Sequence, residues 1–466
     1  MTDRTPPPTS PPRSLRDIAS CVAGYDPDAL PVAQAQEFIA HLTQPVQAVE
    51  LRPIRDALGR VLARDIVCAI DVPAHDNSAM DGFALRGSEL RGDATTRLRI
   101  VGTGLAGQNF AGEVPAQACV RITTGAVMPQ GLDTVVPQEF TRIDGEHVLV
   151  PPGLLRAGDN RRRAGEDLAR GEAALAAGRL LRPADLGLLA SLGLAEVPVR
   201  RRLRVAFFST GDELRSIGEP LDAGCVYDSN RYTMWGMLQR LEVDAIDLGV
   251  VRDDPAALRE AFTQAAACAD AVITSGGVSV GEADHTKRIM AELGEVLFWR
   301  IAMRPGRPMA IGRIGGLAGT ESRSGALPGP ESRSGALPGA AGRSGSAPQP
   351  ALLFGLPGNP VAVMVTFYAF VREALLRLAG ATPQPLPLLR AASVGAIRKK
   401  PGRTEFQRGI VSRATDGQWQ VAITGSQGSG ILRSMSRANG MVLLHHDQGD
   451  VAAGEVVEVL PFDGLV

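Results

Sequence analysis

The sequence predicts a multidomain α/β protein whose largest domain is built on a mainly parallel sheet. The chain has 466 residues, which is too long for one hydrophobic core, so several domains are expected. Between residues 201 and 382, short apolar runs alternate with helical stretches, and this alternation indicates a mainly parallel sheet with crossover helices. The apolar runs interpreted as strands are 203–208, 244–251, 271–273 and 352–354.

Three helices are expected in the same domain. Asp254 and Asn359 each stand directly before a proline, so both are good N-caps for helices with proline at the first position. Gly380 should end the last of these helices, which is expected to run to Ala379. The remaining helix should begin near Ser229. Its buried face is expected to hold Trp235, Leu238 and Leu241.

The rest of the chain divides by local pattern into smaller parts. Apolar helical sequence on either side of a strand-rich region should pack together as one discontinuous domain, in which Arg55–Ile66 is expected to be helical. The expected division is a disordered tail 1–14, a discontinuous helical domain 15–70 and 168–200, a small β-domain 71–167, the α/β domain 201–382 and a C-terminal β-domain 383–466.

Residues 317–350 interrupt the α/β domain with a repeat. ESRSGALPG occurs at 321–329 and again at 331–339, and a decayed copy follows at 341–348. Sequence rich in Gly, Ser, Pro and Ala cannot bury a core, so the segment is expected to be a flexible insertion at a hairpin tip.

The stretch Asp270–Lys287 carries the strongest functional signal and reads DAVITSGGVSVGEADHTK. Its glycines allow backbone amides to approach an anion closely, and the helix that follows adds the positive end of its dipole. Glu282 and Asp284 would repel a bare phosphate, so a divalent cation that bridges carboxylate and phosphate oxygens is expected. The alternative is a tight strand-to-helix turn with solvated acids.

The neighbouring strands favour the metal-and-phosphate interpretation. Right-handed crossovers place the loops after parallel strands on one edge of the sheet, where ligands of such sheets bind. Three of these loops contain glycine, and acids follow three of the four strands. The acids expected to share this rim are Asp212, Glu213, Asp253, Asp254, Glu282 and Asp284.

Composition excludes several other classes of protein. The 49 Lys and Arg residues balance the 50 Asp and Glu residues, which argues against nucleic-acid or anionic-membrane binding. Five scattered cysteines have no metal-ligand spacing and suit a reducing, cytoplasmic location. Residues 1–14 are polar and rich in proline, so no signal peptide is expected, and no apolar run is long enough to span a membrane.

Eight short motifs occur along the chain in a fixed order. They are DNSAMDGFA, NRRRAGED, STGDEL, VRDD, TSGGVSVGEADHT, GLPGNP, PGRTEFQRG and QGS. Each is weak alone, but the ordered set resembles the MoeA-type molybdopterin molybdenumtransferases, a family that includes the C-terminal region of gephyrin. The resemblance covers nearly the whole chain beyond the N-terminal tail, apart from 317–350. It implies that the α/β domain is of the molybdopterin-binding type.

The resemblance implies roles for individual residues. The catalytic residues it implies are Asp81, Thr124, Asp167, Glu213, Asp253 and Asp284. Three of them, Glu213, Asp253 and Asp284, would hold Mg²⁺. The substrate-binding residues it implies are Ser275, Gly276, Gly277, Ser279, Gly281, Arg300, Arg304, Pro357, Gly358, Asn359, Pro360, Arg403 and Ser429.

This chain departs from the family pattern at a basic segment. Arg300, Arg304 and Arg307 stand where the family typically carries lysines. Arginine keeps the charge but presents a planar fork, so oxyanion binding is still expected with a changed geometry. From the residues alone, the alternative is a set of basic positions that protect a strand edge. Ala362 also stands where many members have serine.

The activity implied by the resemblance is insertion of molybdate into adenylylated molybdopterin, with release of AMP and a requirement for Mg²⁺. The resemblance also implies a homodimer, and partners that include the molybdopterin adenylyltransferase and molybdoenzyme chaperones. Two other functions stay open at this point. One is molybdopterin adenylyltransferase, which resembles the α/β domain, and the other is a non-catalytic molybdopterin-binding scaffold.

Overall fold

The computed structural model describes residues 14–278, 284–315 and 349–462, with only the backbone at Asp284. The chain forms two compact units, which are described separately below. One comprises residues 1–49 and 200–466, and the other comprises residues 50–199.

The α/β domain of the first unit contains a six-stranded sheet. Its strands, in spatial order, are Asp244–Val251, Arg204–Thr210, Ala271–Ser275, Ala351–Leu356, Pro308–Ile314 and Gly294–Arg300. The first four are parallel, and the last two pair antiparallel. The predicted mainly parallel sheet is therefore confirmed.

Both faces of this sheet are buried, as expected for parallel strands. Along one strand, Val205 and Phe207 contribute to one core, whereas Ala206 and Phe208 contribute to another. The alternation follows from the period of two along a strand, which sends successive side chains to opposite faces. Helices cover both sides, so the strand sequence is apolar almost without interruption.

The helices of the first unit begin largely where the sequence predicts. They are Leu15–Cys21, Val32–Leu42, Ser229–Arg240, Pro255–Cys268, Asp284–Leu293, Pro360–Thr366, Arg372–Leu378 and Leu432–Arg437. Asp254 caps its helix by accepting hydrogen bonds from Ala256 N–H and Ala257 N–H, at 3.0 and 2.9 Å. The predicted helix from Pro360 is interrupted by a π-helical segment, Phe367–Val371, and Gly380 follows it with φ +86°.

One predicted buried residue is not buried. Trp235 is 51% exposed, whereas Leu238 on the same helix is fully buried. Ser229–Arg240 buries Asn230, Met234, Met237 and Leu238, so the buried stripe lies to one side of Trp235. The expectation was wrong for Trp235 because the spacing of the apolar residues in this helix allows either side to face the sheet. The sequence alone does not decide which side is buried.

The two N-terminal helices belong to the α/β core. Phe38 is fully buried in the same cluster as Trp299 and Phe354, and its ring meets that of Trp299 edge to face at 5.1 Å between centroids. The expected domain of residues 15–70 and 168–200 is therefore only partly formed, because residues 168–200 share no core with these two helices. Those residues instead form a core with residues 57–68 in the second unit.

Arg55–Ile66 is not helical, contrary to expectation. The segment holds one short 3₁₀ turn, Ile54–Asp56. Gly59 then adopts φ +70°, which ends any right-handed helix. The amides of Gly59 and Leu62 bond to the carbonyls of Leu181 and Arg179 rather than to the preceding turn. Long-range pairing thus replaces the local helix that the apolar spacing favoured.

The second unit contains the predicted small β-domain. Its six-stranded sheet has the spatial order Thr134–Pro137, Gly82–Leu85, Ala118–Ile122, Thr96–Gly104, His147–Val150 and Arg142–Asp144. Separate apolar clusters cover the two faces of this sheet. The unit also holds the helix Pro183–Ser191 and the short strands Ile66–Val67, Asn77–Ser78, Arg161–Arg162, Ala173–Leu175 and Glu196–Arg200.

The C-terminal β-domain is a closed sheet. Its strands, in spatial order, are Met303–Arg304, Thr404–Arg413, Trp419–Ile423, Leu389–Ser393, Val456–Pro461 and Gly440–Leu444. An additional pairing joins Thr404–Arg413 to Gly440–Leu444, so the last five strands close on one another as a barrel. Its interior holds Ala391, Val421, Val442, Val457 and Val459.

The repeat segment 317–350 lies almost entirely outside the described residues. The strands on either side of it, Pro308–Ile314 and Ala351–Leu356, are antiparallel neighbours. Ile314 pairs directly with Ala351. The ends that the segment joins are therefore adjacent, as in a hairpin.

Candidate active site

The centre of the candidate site is the point where the sheet order changes direction. The strand Arg204–Thr210 has Asp244–Val251 on one side and Ala271–Ser275 on the other. The loops that leave these neighbouring strands diverge there and leave a crevice, which is where open parallel sheets bind ligands. STGDEL, VRDD and TSGGVSVGEADHT all begin at this edge.

The glycines of the third motif are required by close packing. A Cβ on Gly276 would lie 2.5 Å from the carbonyl oxygen of Thr210, and one on Gly277 would lie 2.7 Å from Thr286 Oγ1. Both glycines have positive φ, +92° and +67°. No other residue fits these positions without movement of the neighbouring backbone, so the loop is fixed against the end of the adjacent strand.

A buried hydrogen-bond network lies beneath these loops. Ser209 Oγ donates to Asp228 Oδ1 at 3.0 Å and lies 3.3 Å from Ser275 Oγ. Asn230 Nδ2 donates to Ser275 Oγ at 3.2 Å and to the carbonyl of Gly358 at 2.6 Å. The network ties the ends of two strands and the loop after a third to the start of the helix Ser229–Arg240, so these elements keep one relative geometry.

Three acids meet at the same edge. The Asp253 N–H donates to Asp212 Oδ1 at 3.3 Å. Burial raises the pKa of Asp253 above its usual value, and the carboxylates of Asp212 and Glu213 raise this pKa further, whereas His285 and Thr286 lower it. Repulsion among these carboxylates is the condition under which a bound divalent cation gains most.

The donor set fits a hard divalent cation. Asp253 Oδ1 is buried and accepts no hydrogen bond within the described residues, so an ion could satisfy it. Across those same residues, no three Asp, Glu, His or Cys side chains stand close enough to form a complete metal site. The side chain of Asp284, the third predicted ligand, lies outside the described residues, as do Ser279, Gly281 and Glu282.

A second cluster of predicted residues lies in the other unit. Asp81 Oδ1 accepts hydrogen bonds from Thr124 N–H at 2.7 Å and from Thr124 Oγ1 at 2.8 Å. These hydrogen bonds hold the pKa of Asp81 below its usual value, and the one from the Thr124 backbone N–H has a larger effect than the one from the Thr124 hydroxyl. Both residues are exposed, so a fully ionised carboxylate faces the surface at this point.

The loop that carries Arg161, Arg162 and Arg163 lies next to the loop that carries Asp81. Asn77–Ser78 pairs with Arg161–Arg162 as a short antiparallel ladder, and Asp76 Oδ1 accepts from Ala164 N–H at 2.8 Å. Asp167 is exposed, and its N–H donates to the carbonyl of Val72 at 3.0 Å. The segments that carry Asp81 and Asp167 are therefore held side by side.

The predicted basic residues of the first unit do not form one cluster, since Arg300 ends a strand of the α/β sheet whereas Arg304 and Arg403 lie at strands of the C-terminal barrel. Arg300 pairs with Asp28 at 3.8 Å, and Arg403 donates to Glu405 Oε1 at 2.8 Å. Arg304 pairs through its backbone with Glu405 and lines a pocket of about 280 Å³. The Ser429 carbonyl accepts from Val361 N–H at 3.1 Å, which joins the barrel loop to the start of the helix after GLPGNP.

Comparison with known proteins identifies the family. Residues 30–193 match the MoeA N-terminal region (domain I and II), residues 206–377 match a probable molybdopterin binding domain, and residues 390–462 match the MoeA C-terminal region (domain IV). A molybdopterin molybdenumtransferase from Haemophilus influenzae is 38% identical over 431 residues, which is 92% of this chain and 98% of that protein. The chain belongs to the molybdopterin molybdenumtransferase family.

Other relatives agree with this assignment. A molybdopterin molybdenumtransferase from Nostoc is 32% identical and covers 89% of each chain. Gephyrin from Dictyostelium discoideum is 32% identical over 92% of this chain and 62% of gephyrin. The crystal structure of a molybdopterin biosynthesis MoeA protein from Pyrococcus horikoshii matches with a TM-score of 0.73 at 26% identity, over 93% of this chain and 100% of that one. The family expected from the motifs is therefore confirmed.

Sequence reasoning missed the residues that hold the molybdopterin molybdenumtransferase loops in place. Asp228, Asn230 and Arg408 are buried polar residues that fall outside the predicted site. Asp228 could have been found as an N-cap, because it precedes the helix at Ser229 and accepts from Arg231 N–H. Asn230 carries no such local signal, since its partners are distant in sequence. Arg408 lies within the motif PGRTEFQRG and could have been singled out there, although its partners are also distant.

No described helix is long and apolar enough to cross a membrane. This agrees with the expectation from the sequence for the part of the chain that the structure describes.

Proposed function

We propose that this protein inserts molybdate into adenylylated molybdopterin, releasing AMP and forming the molybdenum cofactor in an Mg²⁺-dependent reaction. The observation that carries the proposal is the placement of glycine loops beside the repelling carboxylates of Asp212, Glu213 and Asp253. Glycine loops suit a pyrophosphate group and clustered carboxylates suit a divalent cation, so this edge of the sheet suits the two together. Membership of the molybdopterin molybdenumtransferase family supplies the substrate class.

The glycine loops are proposed to hold the pyrophosphate of the substrate. Gly276 and Gly277 have no side chain of their own to block an anion, and their loop packs closely against Thr210 and Thr286. Ser275 is fixed beneath them. The residues proposed to contact this part of the substrate are Ser275, Gly276, Gly277, Ser279, Gly281, Pro357, Gly358, Asn359 and Pro360. Gly358 lies beside Gly276, since a Cβ on Gly358 would be 3.8 Å from Gly276 Cα.

Glu213, Asp253 and Asp284 are proposed to hold the Mg²⁺. The ion would polarise phosphoryl oxygens and neutralise charge that develops as the phosphoanhydride is cleaved. Within the protein, Asp253 contributes the buried Oδ1 that lacks a described partner, and Glu213 brings its carboxylate against Gly211. Because these carboxylates repel one another, a cation bound between them would reduce that repulsion.

Asp81, Thr124 and Asp167 are proposed to complete the catalytic residues. Asp81 uses Oδ1 for both hydrogen bonds from Thr124, so Oδ2 remains to face the substrate. The low pKa of Asp81 keeps this oxygen ionised, which suits orientation of a proton or a water rather than acid catalysis. No Ser/His/Asp or Cys/His set is apparent in the sequence, which favours direct attack on the phosphate over a covalent intermediate.

Molybdate is proposed to bind through Arg300, Arg304, Arg403 and Ser429. Arginine forks suit a tetrahedral oxyanion because they can donate two parallel hydrogen bonds. Arg304 is exposed beside the pocket at the barrel edge. The arginines at the usual lysine positions therefore keep the charge that molybdate requires.

The test is an assay of AMP release from adenylylated molybdopterin with and without molybdate. Molybdate-dependent release supports the proposal. A molybdopterin adenylyltransferase would instead consume ATP and form adenylylated molybdopterin without molybdate, and a scaffold would bind molybdopterin without releasing AMP. Either result would contradict the proposed activity, and omission of Mg²⁺ tests the metal separately.

Further properties are proposed from the family. We infer a cytoplasmic homodimer with functional contacts to the molybdopterin adenylyltransferase and molybdoenzyme chaperones, without nucleic-acid or membrane binding. The balanced charge supports the last point. We also propose domain boundaries near residues 70, 167, 200 and 382, of which the last two fall between the matched regions.

A further inference from the structure

Arg408 is a fully buried arginine in the C-terminal barrel. It lies on the strand Thr404–Arg413, and it lines the same pocket as Arg304. A buried guanidinium normally pairs with a carboxylate, because an unpaired charge is costly to bury. In the described residues Arg408 forms no ion pair, and the nearby Glu405 is engaged by Arg403 and Gln407.

The guanidinium of Arg408 is instead held by neutral oxygen atoms of one loop. Nη1 donates to the carbonyl of Gln427 at 3.2 Å, and Nη2 donates to the carbonyls of Gly428 at 2.9 Å and Ser426 at 3.4 Å. Nε donates to Ser434 Oγ at 2.9 Å. Three successive carbonyls therefore converge on one side chain.

Because these three carbonyls point towards the guanidinium, the direction of the loop amides is fixed as well. In a trans peptide the N–H is antiparallel to the C=O, so the amides of Gln427, Gly428 and Ser429 point away from the guanidinium. None of these three amides donates a hydrogen bond to another described residue. Successive free amides on one side of a loop form a concave site for an anion.

Gln427 fixes the same arrangement from the other side. Its Oε1 accepts from Arg408 N–H at 2.8 Å, and its Nε2 donates to the Arg408 carbonyl at 3.3 Å. The side chain of each residue thus bonds the backbone of the other. The loop cannot turn its amides inward without breaking this reciprocal pair.

We propose that Arg408 is a positioning residue that presents the amides of Gln427, Gly428 and Ser429 to the molybdate oxyanion. The role rests on the proposed function, since it names how the loop before Ser429 meets molybdate. Arg408 supplies the loop geometry from within the barrel, and its positive charge, with that of Arg304 beside it, favours an anion at the loop surface.

Lys399 provides a matched control in the same domain. It is also a buried cation, 4% exposed, and its Nζ donates to the carbonyls of Lys400, His446 and Gln448. It forms no hydrogen bond with residues 426–429. Replacing either cation by methionine removes a buried charge and its carbonyl bonds, but only one of the two changes alters the proposed molybdate loop.

The experiment compares Arg408→Met, Arg408→Lys and Lys399→Met in the full chain. We expect Arg408→Met to raise KM for molybdate about tenfold or more, because it loses the three hydrogen bonds that hold the loop carbonyls and one charge-assisted hydrogen bond alone is worth about tenfold. AMP affinity should be unchanged, and Arg408→Lys should fall between wild type and Arg408→Met. Lys399→Met should lower the unfolding midpoint while leaving KM for molybdate unchanged. Equal KM effects in the two methionine variants, or none in Arg408→Met, would overturn the role.

Two further measurements keep the outcome decisive. If Arg408→Met does not fold, Ser434→Ala removes the acceptor for Arg408 Nε together with the hydrogen bond from the Ser434 hydroxyl to the Ile431 carbonyl. Of these, only the bond to Arg408 bears on the loop, and its loss should raise KM for molybdate about two- to fivefold. An unchanged KM in Ser434→Ala would then overturn the role. Molybdate binding by calorimetry separates this inference from the proposed function. Wild type that binds molybdate without releasing AMP contradicts the function, whereas equal binding by wild type and Arg408→Met contradicts the positioning role.

Discussion

Thr124 donates two hydrogen bonds to a single oxygen of Asp81, one from its backbone N–H at 2.7 Å and one from its hydroxyl at 2.8 Å. The sequence places these residues 43 positions apart, and the β-domain brings them together. The pair makes Asp81 a stronger acid than an ordinary aspartate. Its charge is therefore constant over the pH range in which an enzyme works.

Thr124→Val tests the cause of this low pKa. The variant removes the hydroxyl donor and keeps the backbone donor, so we expect the pKa of Asp81 to rise while remaining below its usual value. Carboxyl ¹³C NMR titration measures this directly. Thr141→Val is the control, because the Thr141 hydroxyl bonds the Gln138 carbonyl and no carboxylate. An Asp81 pKa equal to that of wild type in Thr124→Val would contradict the expectation.

The hydrogen bonds between Thr124 and Asp81 should also affect the stability of the second unit. A folded pKa below the unfolded value adds stability above the unfolded pKa, and that stability is lost as pH falls through the folded pKa. Wild type should therefore exceed Thr124→Val in stability at neutral pH, and the difference should vanish in strong acid. Chemical denaturation at both pH values gives the comparison.

Asp253→Asn should separate stability from activity. The pKa of Asp253 is raised by burial and by neighbouring carboxylates, so its contribution to stability is lost as pH rises through the folded pKa. At neutral pH, the neutral amide should stabilise the fold by on the order of 1 kcal/mol, while Mg²⁺-dependent turnover falls. Thermal unfolding with and without Mg²⁺ measures both effects.

Asp254→Asn is the matched control for that change. The substitution Asp254→Asn removes the same charge one position along the chain. Asparagine can still cap the helix by accepting from Ala256 and Ala257, as Asp254 does. We expect the stabilisation by Mg²⁺ to persist in Asp254→Asn and to shrink in Asp253→Asn. Equal Mg²⁺ responses in both variants would remove Asp253 from the metal site.

Gly276→Ala should disrupt the centre of the site. The added Cβ would lie 2.5 Å from the Thr210 carbonyl in a residue with φ +92°, so we expect a loss of about 2 kcal/mol or more. Gly236→Ala is the control, because Gly236 lies within the helix Ser229–Arg240 with open space at its Cβ. That variant should gain about 0.5–1 kcal/mol. Urea unfolding compares them, and equal shifts would contradict the close packing.

Deletion of residues 317–350 should leave fold and activity nearly unchanged. Ile314 and Ala351 pair directly, so a short turn can replace the segment, and a shorter loop costs less entropy to close. The measurements are the unfolding midpoint and AMP release. A fall in the midpoint of many degrees, or loss of activity, would show that the repeats contribute to the folded protein.

Mixed dimers test whether each active site of the proposed homodimer combines residues from both subunits. In a two-fold dimer, Asp81 from one subunit and Asp284 from its partner would form each site. Asp81→Asn and Asp284→Asn are each expected to be inactive alone. In a mixed dimer one site carries both changes and the other carries neither, so co-refolding at equal amounts should restore roughly a quarter of wild-type AMP release. No recovery, with mixed dimers confirmed by native mass spectrometry, would exclude a shared site.

The sequence by itself determined the mainly parallel sheet, the helix caps and the family. Each depends on local signals, since a buried parallel strand is a continuous apolar run and a cap such as Asp254 acts on amides two and three residues away. The glycines at 276 and 277 were also readable, because positive φ and close backbone approach leave few other choices.

Only the tertiary structure decided which residues support the site and how the smaller elements fold. Arg55–Ile66 has helical apolar spacing, yet its amides bond strands far along the chain, and Trp235 lies on the exposed side of a helix whose spacing permits either side to face the core. Asn230 and Arg408 find partners 128 and 20 residues away. The physical reason is that burial and long-range hydrogen bonds depend on which surfaces meet, and local propensity does not encode this.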